Sequence, residues 1–255
     1  MGRIRIERRD MLRTLALAAA AGPFSGLGGR AFALGTPAGT QDDQERYVLP
    51  PGKWVQLFSG KDLKGWKHVG GGGMTVENGL LKAQGGKKEL GLLWWTGGKL
   101  CDCVIRVVYK MEHFNDNSGV FIRIPIPPRE PWMPVHYGYE VQIDNHPETS
   151  GENEYHVTGT LYSLTKPLAF PGKPGPQWNT MEITIDGPHT MVTVNGVKVT
   201  DYTEGQAVPA MKFSYEPMRG PRPNCGYIGL QDESGNNVVY FKEVAVKSLK
   251  PQAGK

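Results

Sequence analysis

Glu140, Gln142 and Asp144 alternate with Tyr139, Val141 and Ile143 in a run that reads Tyr-Glu-Val-Gln-Ile-Asp. Successive side chains of a strand point to opposite faces, so the acids and the amide share one face and the apolar groups the other. Upstream, Asn117 to Ile124 alternates in the same way. Val120, Ile122 and Ile124 form its apolar row, with Gly119, Phe121 and Arg123 opposite. Together the two runs could floor a groove for a polyhydroxylated ligand. Carboxylates there would exchange protons, an arginine would stabilise developing negative charge, and amides and rings would hold hydroxyls and ring faces. An ordinary antiparallel sheet with one face in water shows the same pattern. Arg123 is equally placed to pair with Glu140 across the strands.

The elements that must position these groups are short and extended. Asn78-Gly79 and Asn195-Gly196 each sit between alternating runs, the strongest short-range hairpin signal. Lys53–Phe58, Leu92–Trp95, Cys103–Tyr109, Thr158–Leu164, Met181–Asp186, Thr190–Val194, Tyr227–Gln231 and Val238–Val246 also read as strands. Proline-rich excursions follow Ile124 and Lys166, and a long irregular loop runs from Pro209 to Pro223. About twelve strands with no convincing amphipathic helix predict an all-β fold of two antiparallel sheets packed face to face.

The amino terminus reads as an export signal. Arg8-Arg9-Asp10-Met11-Leu12-Arg13 fits a twin-arginine leader, an alanine-rich run follows, and Ala31-Phe32-Ala33 is a cleavage signal. Residues 1–33 are therefore expected to be removed, 34–52 to form a polar flexible linker, and 53–250 to form the domain. A periplasmic or secreted location follows, with no membrane span left after removal. The whole chain has 29 basic and 25 acidic residues; the leader takes 6 and 2 of them, so 29 − 6 = 23 and 25 − 2 = 23 cancel. No basic stripe remains for nucleic acid. Cys101, Cys103 and Cys225 carry no zinc spacing. Cys101 and Cys103 are too close in sequence to bridge within a strand, and a bridge from Cys225 to either stays open.

Taken in order, W-x-x-L-F-x-G-x-D-L-x-G-W from Trp54, V-E-x-G-x-L, N-S-G-V-F-I-R, Y-E-V-Q-I-D, W-N-x-M-E-I, V-N-G-x-K-V and G-Y-I-G-L-Q resemble the 3-keto-disaccharide hydrolase family. The resemblance runs from Trp54 to Val246. It implies a concanavalin-like jelly roll acting on glycosides oxidised to a ketone at sugar C3, with the ketone supplied by a separate sugar oxidoreductase. In that chemistry a base removes the C2 proton, the C1 oxygen leaves, and water adds back. Glu140 or Asp144 is the expected base, Arg123 the oxyanion stabiliser, and His136 or Glu233 the acid. Many members have a histidine where Glu233 stands. Gln142, Gln231, Phe121, Trp132, Lys166 and Trp178 are the candidate sugar-binding residues.

Two other classes compete. A retaining glucanase on the same fold uses an E-x-D-x-E row, but here the middle acid is an amide and the last is the shorter Asp144. A binding module without chemistry would need only the aromatic residues. No cofactor is expected. If a divalent metal binds, the oxygen ligands of Glu140 and Asp144 favour calcium or magnesium over zinc, with His136, His146 and His156 near that strand. Changing Arg8 and Arg9 to lysine is expected to leave unprocessed precursor in the cytoplasm; an undiminished exported fraction would refute the leader.

Overall fold

The computed structural model describes residues 45–84, 89–145 and 153–249. The expected leader and most of the linker lie outside them. From residue 45 the chain is already fastened rather than flexible. The Tyr47 N–H donates to the Lys99 carbonyl at 2.8 Å, and Lys99 donates back to Glu45 at 2.7 Å. Leu49 is buried, and the Tyr47 ring meets Trp95 edge-on at 4.8 Å.

The strands are β1 (Val55–Gln56), β2 (Trp66–Gly70), β3 (Met74–Glu77), β4 (Leu80–Ala83), β5 (Gly91–Trp95), β6 (Cys103–Met111), β7 (Ser118–Ile124), β8 (Tyr139–Ile143), β9 (Asn179–Asp186), β10 (His189–Val194), β11 (Val197–Thr203), β12 (Tyr227–Asp232) and β13 (Val239–Ser248). Both expected Asn-Gly turns close hairpins, β3–β4 and β10–β11. The order β11-β10-β9-β6-β13-β4-β3, with β1 beside β13, makes one sheet; β2-β5-β12-β7-β8 makes the other. All the strand pairs are antiparallel. This is the expected two-sheet jelly roll.

The two sheets differ in how they meet water. β6 and β9 alternate buried and half-buried residues, the signature of a sheet with one wet face. β5, β7, β8 and β12 are buried at every position. Their inner face joins the main core through Leu93, Val120, Ile122, Val141, Ile143 and Leu230. Their outer face must therefore be covered too.

The cover is a helix that the sequence reading took as a proline-rich loop. α1 spans Trp132–Tyr137 and starts after Pro131. Proline is tolerated in a first helical turn, where the missing N–H has no partner to lose. The Glu130 carboxylate accepts the Trp132 N–H at 2.9 Å. Val135 packs with Leu92, Trp94, Phe121, Ile124 and Tyr227 in a second, smaller apolar cluster.

Ile124 reaches that cluster because β7 is bulged. Arg123 has φ 54°, a left-handed value rare for a side chain of this size. The register against β12 shifts at the same place. The expected row of Val120, Ile122 and Ile124 is thus broken: Ile124 turns outward beside Phe121, and Arg123 turns inward. Its guanidinium is fully buried. It donates to the carbonyls of Pro223, Gly187 and His189 at 2.9, 2.8 and 3.0 Å and to Thr190 Oγ1 at 3.1–3.2 Å. Gly226 passes so close that a Cβ there would lie 2.3 Å from the Arg123 carbonyl carbon.

A disulfide joins Cys101 to Cys225 beside this point, and Cys103 stays free and buried. Burial pushes the Cys103 thiol up to about 12, which keeps it unreactive. Arg123→Ala would leave three carbonyls and a hydroxyl without their donor, and is expected to destabilise the fold by about 3–5 kcal/mol. Arg123→Lys should recover little, since an ammonium cannot reproduce the fork. A variant that kept the wild-type denaturation midpoint would contradict this structural role.

Candidate active site

α1 covers only part of the outer face of the smaller sheet. The uncovered part, over β8, β7 and the end of β12, is a cavity of about 300 Å³. Glu140, Gln142 and Asp144 point into it from β8, and Gln231 and Glu233 from β12 and the residue after it. Asn117 joins them and accepts from Gln142 Nε2 at 3.0 Å.

The free edge of β8 is covered by a segment bonded to it through Gly159 N–H to Gln142, Gln142 N–H to Thr160 and Tyr162 N–H to Glu140. That segment brings His156 and Tyr162 to the cavity, with their rings 4.6 Å apart. α1 adds Trp132 and Val135, and the long loop after β11 adds Tyr215.

Glu140 is the most enclosed acid of the site, 6 % exposed. Its carboxyl lies across Gly119 of the neighbouring strand, where a Cβ would meet Oε1 at 2.5 Å. Burial raises its pKa well above 4.5, and the charge of Glu233 raises it further, against a hydrogen bond from Gln231. Glu233 is raised by burial as well, but Ser234 donates to Oε1 from its N–H at 3.0 Å and its hydroxyl at 2.9 Å, which favours the ionised form.

Burial therefore favours the protonated form more strongly at Glu140 than at Glu233, where the serine hydrogen bonds oppose it. Burial likewise holds Tyr162 as a neutral phenol. The Oε1 atoms of Gln142 and Gln231 are buried acceptors with no partner in the protein. Acceptors in that state are suited to the hydroxyls of a sugar.

The family model for the 3-keto-alpha-glucoside-1,2-lyase-like domain matches residues 53–247. The chain belongs to this family. Among solved structures, the family fold recurs in candidate glycosyl hydrolases from Parabacteroides distasonis. One is 23% identical with a TM-score of 0.62, covering 77% of this chain and 94% of that one. Another is 26% identical with a TM-score of 0.60, covering 77% and 100%. A Bacillus subtilis protein of unknown function with a galectin-like fold is 14% identical with a TM-score of 0.55, covering 79% and 98%. Among curated proteins, none matches this chain.

Within this family member the cavity gathers Glu140, Gln142, Asp144, Gln231, Glu233 and Trp132 from the residues singled out by sequence. It does not gather five others. Arg123 is consumed at the sandwich end and makes no pair with Glu140. Phe121 is fully buried beneath α1. His136 points its Nε2 at the Ser214 carbonyl, 3.1 Å away, outside the cavity lining. Lys166 pairs with Glu154 at 2.5 Å over the Tyr155 ring, in a separate shallow depression. Trp178 sits against Lys110 and Lys242 of the larger sheet, at 5.4 and 5.8 Å.

Sequence reasoning passed over Tyr162, Tyr215, Asn117 and, except as a metal ligand, His156. Tyr162 lay in a run already read as extended, and Tyr215 in the irregular loop; nothing local marks either. Among the described residues no three of His, Cys, Asp and Glu gather to hold a metal. His146 lies outside them.

Native Glu140 keeps its proton above the pH, near 4.5, at which the unfolded carboxyl loses it. The stability tied to that proton is complete below this value and is lost as pH rises through the native pKa. Glu140→Gln is therefore expected to match the wild type at pH 4 and to melt higher at pH 8, by roughly 2–4 °C for each ~1 kcal/mol removed. An equal shift at both pH values would argue against a buried, proton-retaining carboxyl.

Proposed function

We propose that this chain cleaves glycosides whose sugar carries a ketone at C3, by elimination at C1 followed by hydration. The observation that carries the reading is the unequal carboxyl pair, Glu140 enclosed and Glu233 bonded by Ser234, beside partnerless amide oxygens in a cavity the size of one sugar ring. Environments that push two acids apart define an acid and a base.

A C3 ketone acidifies the C2 proton. The Glu233 carboxylate takes that proton, and the electron pair passes to the C3 oxygen as an enolate. The neutral Tyr162 phenol is the donor best placed in the cavity to meet that charge. The enolate then collapses, the C1–O bond breaks, and Glu140 gives its proton to the departing oxygen. Glu140 is now ionised and Glu233 protonated. Water adds at C1, losing a proton to Glu140, and Glu233 returns its proton to C2. Both acids end as they began.

These roles differ from the sequence expectation, in which Glu140 or Asp144 served as base and His136 or Glu233 as acid. The reason is burial: the better-enclosed acid is the one that holds its proton. His136 and Arg123 leave the mechanism because their polar atoms are spent on backbone carbonyls. The ketone needs an oxidoreductase elsewhere, and export would place both steps outside the cytoplasm. No metal step is invoked, so chelation should leave turnover unchanged.

Leaving groups separate the two acids. A nitrophenolate needs no proton to depart, whereas an alkoxide does. Glu233→Gln is expected to lower kcat by ~10²–10⁴-fold on every 3-keto-glucoside, the usual worth of a positioned acid or base. Glu140→Gln should lower it as much on alkyl 3-keto-glucosides and far less on the nitrophenyl one. Hydrolysis of plain glucosides at the rate of their 3-keto forms would replace this reading with a retaining glucanase.

A further inference from the structure

We infer that the mouth of the cavity is a subsite for a flat aromatic aglycone, which would make aryl 3-keto-glycosides the preferred substrate class. The inference rests on the function just proposed. A volume of about 300 Å³ is at the lower end of ligand pockets, which run from ~300 to 1,000 Å³. With the acids on its floor, it has room for the ring that reacts and little more. Whatever is attached at C1 must lie outward, against the mouth.

The mouth is built of rings. Trp132 is 44% exposed, Tyr215 47% and Phe213 45%. Trp132 lies stacked with His136 on α1, at 6.1 Å and 26°. Phe213 lies stacked with Tyr215 on the facing loop, at 5.1 Å and 7°. Trp132 and Tyr215 both line the cavity, and each is backed by a stacked ring outside the lining. The bond from His136 Nε2 to the carbonyl of Ser214, between Phe213 and Tyr215, ties the two pairs together.

The loop is not a loose strap. Arg222 is buried and donates to the carbonyls of Gly138, Gly220, His136 and Met218. Arg219 donates to Pro209, Pro217 and Ser163 and pairs with Glu216 at 2.9 Å. The Cys101–Cys225 bridge closes the loop's far end. The chain therefore spends two arginines and a disulfide on holding exposed rings in place. A second sugar needs directed hydrogen bonds as well as a stacking face, whereas an aryl group needs only the face.

The test uses the mature enzyme and, for each anomer, an aryl 3-keto-glucoside against a 3-keto-disaccharide. A kcat/KM at least tenfold higher for the aryl substrate is expected, with Phe213→Ala reducing that ratio at least fivefold through KM. Equal values for the two substrates, or a ratio unmoved by Phe213→Ala, would overturn the aglycone subsite and leave the elimination chemistry standing. If neither keto substrate turns over, the proposed reaction fails and binding decides the subsite alone. Phenyl glucoside should then quench the fluorescence lost in Trp132→Phe, more tightly than a disaccharide and more weakly in Phe213→Ala. Binding that ignores the aryl group would refute it.

Discussion

The buried guanidinium of Arg123 sets the geometry on which the functional face depends. Its bonds to three carbonyls and Thr190 tie β7 to the β9–β10 turn of the opposite sheet. Those bonds hold a left-handed residue that costs on the order of 1–3 kcal/mol in a non-glycine chain. The bulge they maintain turns Ile124 outward beside Phe121. That adds an apolar side chain to the face on which α1 rests, and α1 fills one half of the outer face and leaves the other half as a cavity. Hydrophobic burial thus places the helix, but an ion held by backbone oxygens decides where the hydrophobic patch lies.

The cavity floor works against folding in a useful way. Placing Glu140 across Gly119 strips it of water, and the charge of Glu233 keeps it from ionising. An ordinary surface carboxyl titrates near 4 and is a poor proton donor at neutral pH. Burial favours its protonated form, and hydrogen bonds from the serine that follows Glu233 favour the ionised form there. Burial raises both carboxyls, but only Glu233 has the N–H and hydroxyl of Ser234 acting against it, so two identical side chains are shifted unequally.

Rigidity reaches the site from outside the sheet. The edge of β8 is bonded to the segment that carries His156 and Tyr162, which also removes a free strand edge. The loop carrying Tyr215 is fixed by arginines that donate to its own carbonyls. In the chain-entropy model a disulfide closing a span of 124 residues contributes about 4–5 kcal/mol by restricting the unfolded chain, and it anchors the far end of that same loop. Functional loops are held here by polar bonds to the backbone more than by apolar contacts.

The residue order by itself determined the two-sheet fold, both Asn-Gly hairpins and the facing of Glu140, Gln142 and Asp144. Each follows from period-two alternation or turn chemistry, which act between near neighbours. The sequence also marked Gln231, through its match to a family pattern, and Glu233, as the residue standing where many members have a histidine. It misplaced Arg123 and Ile124, because a single left-handed residue inverts the alternation and leaves no compositional trace. It overlooked α1, whose prolines read as loop, and it could not choose Cys101 over Cys103 for Cys225. It assigned Trp132 and Trp178 alike to sugar binding, although one lines the cavity and the other lies on the opposite sheet. Those outcomes depend on which distant segments meet: a tryptophan is the same residue in either place, and only the packing of chain around it decides whether a ligand can reach its face. The raised pKa of Glu140 is of the same kind, since it arises chiefly from the absence of water, which no neighbour in sequence encodes.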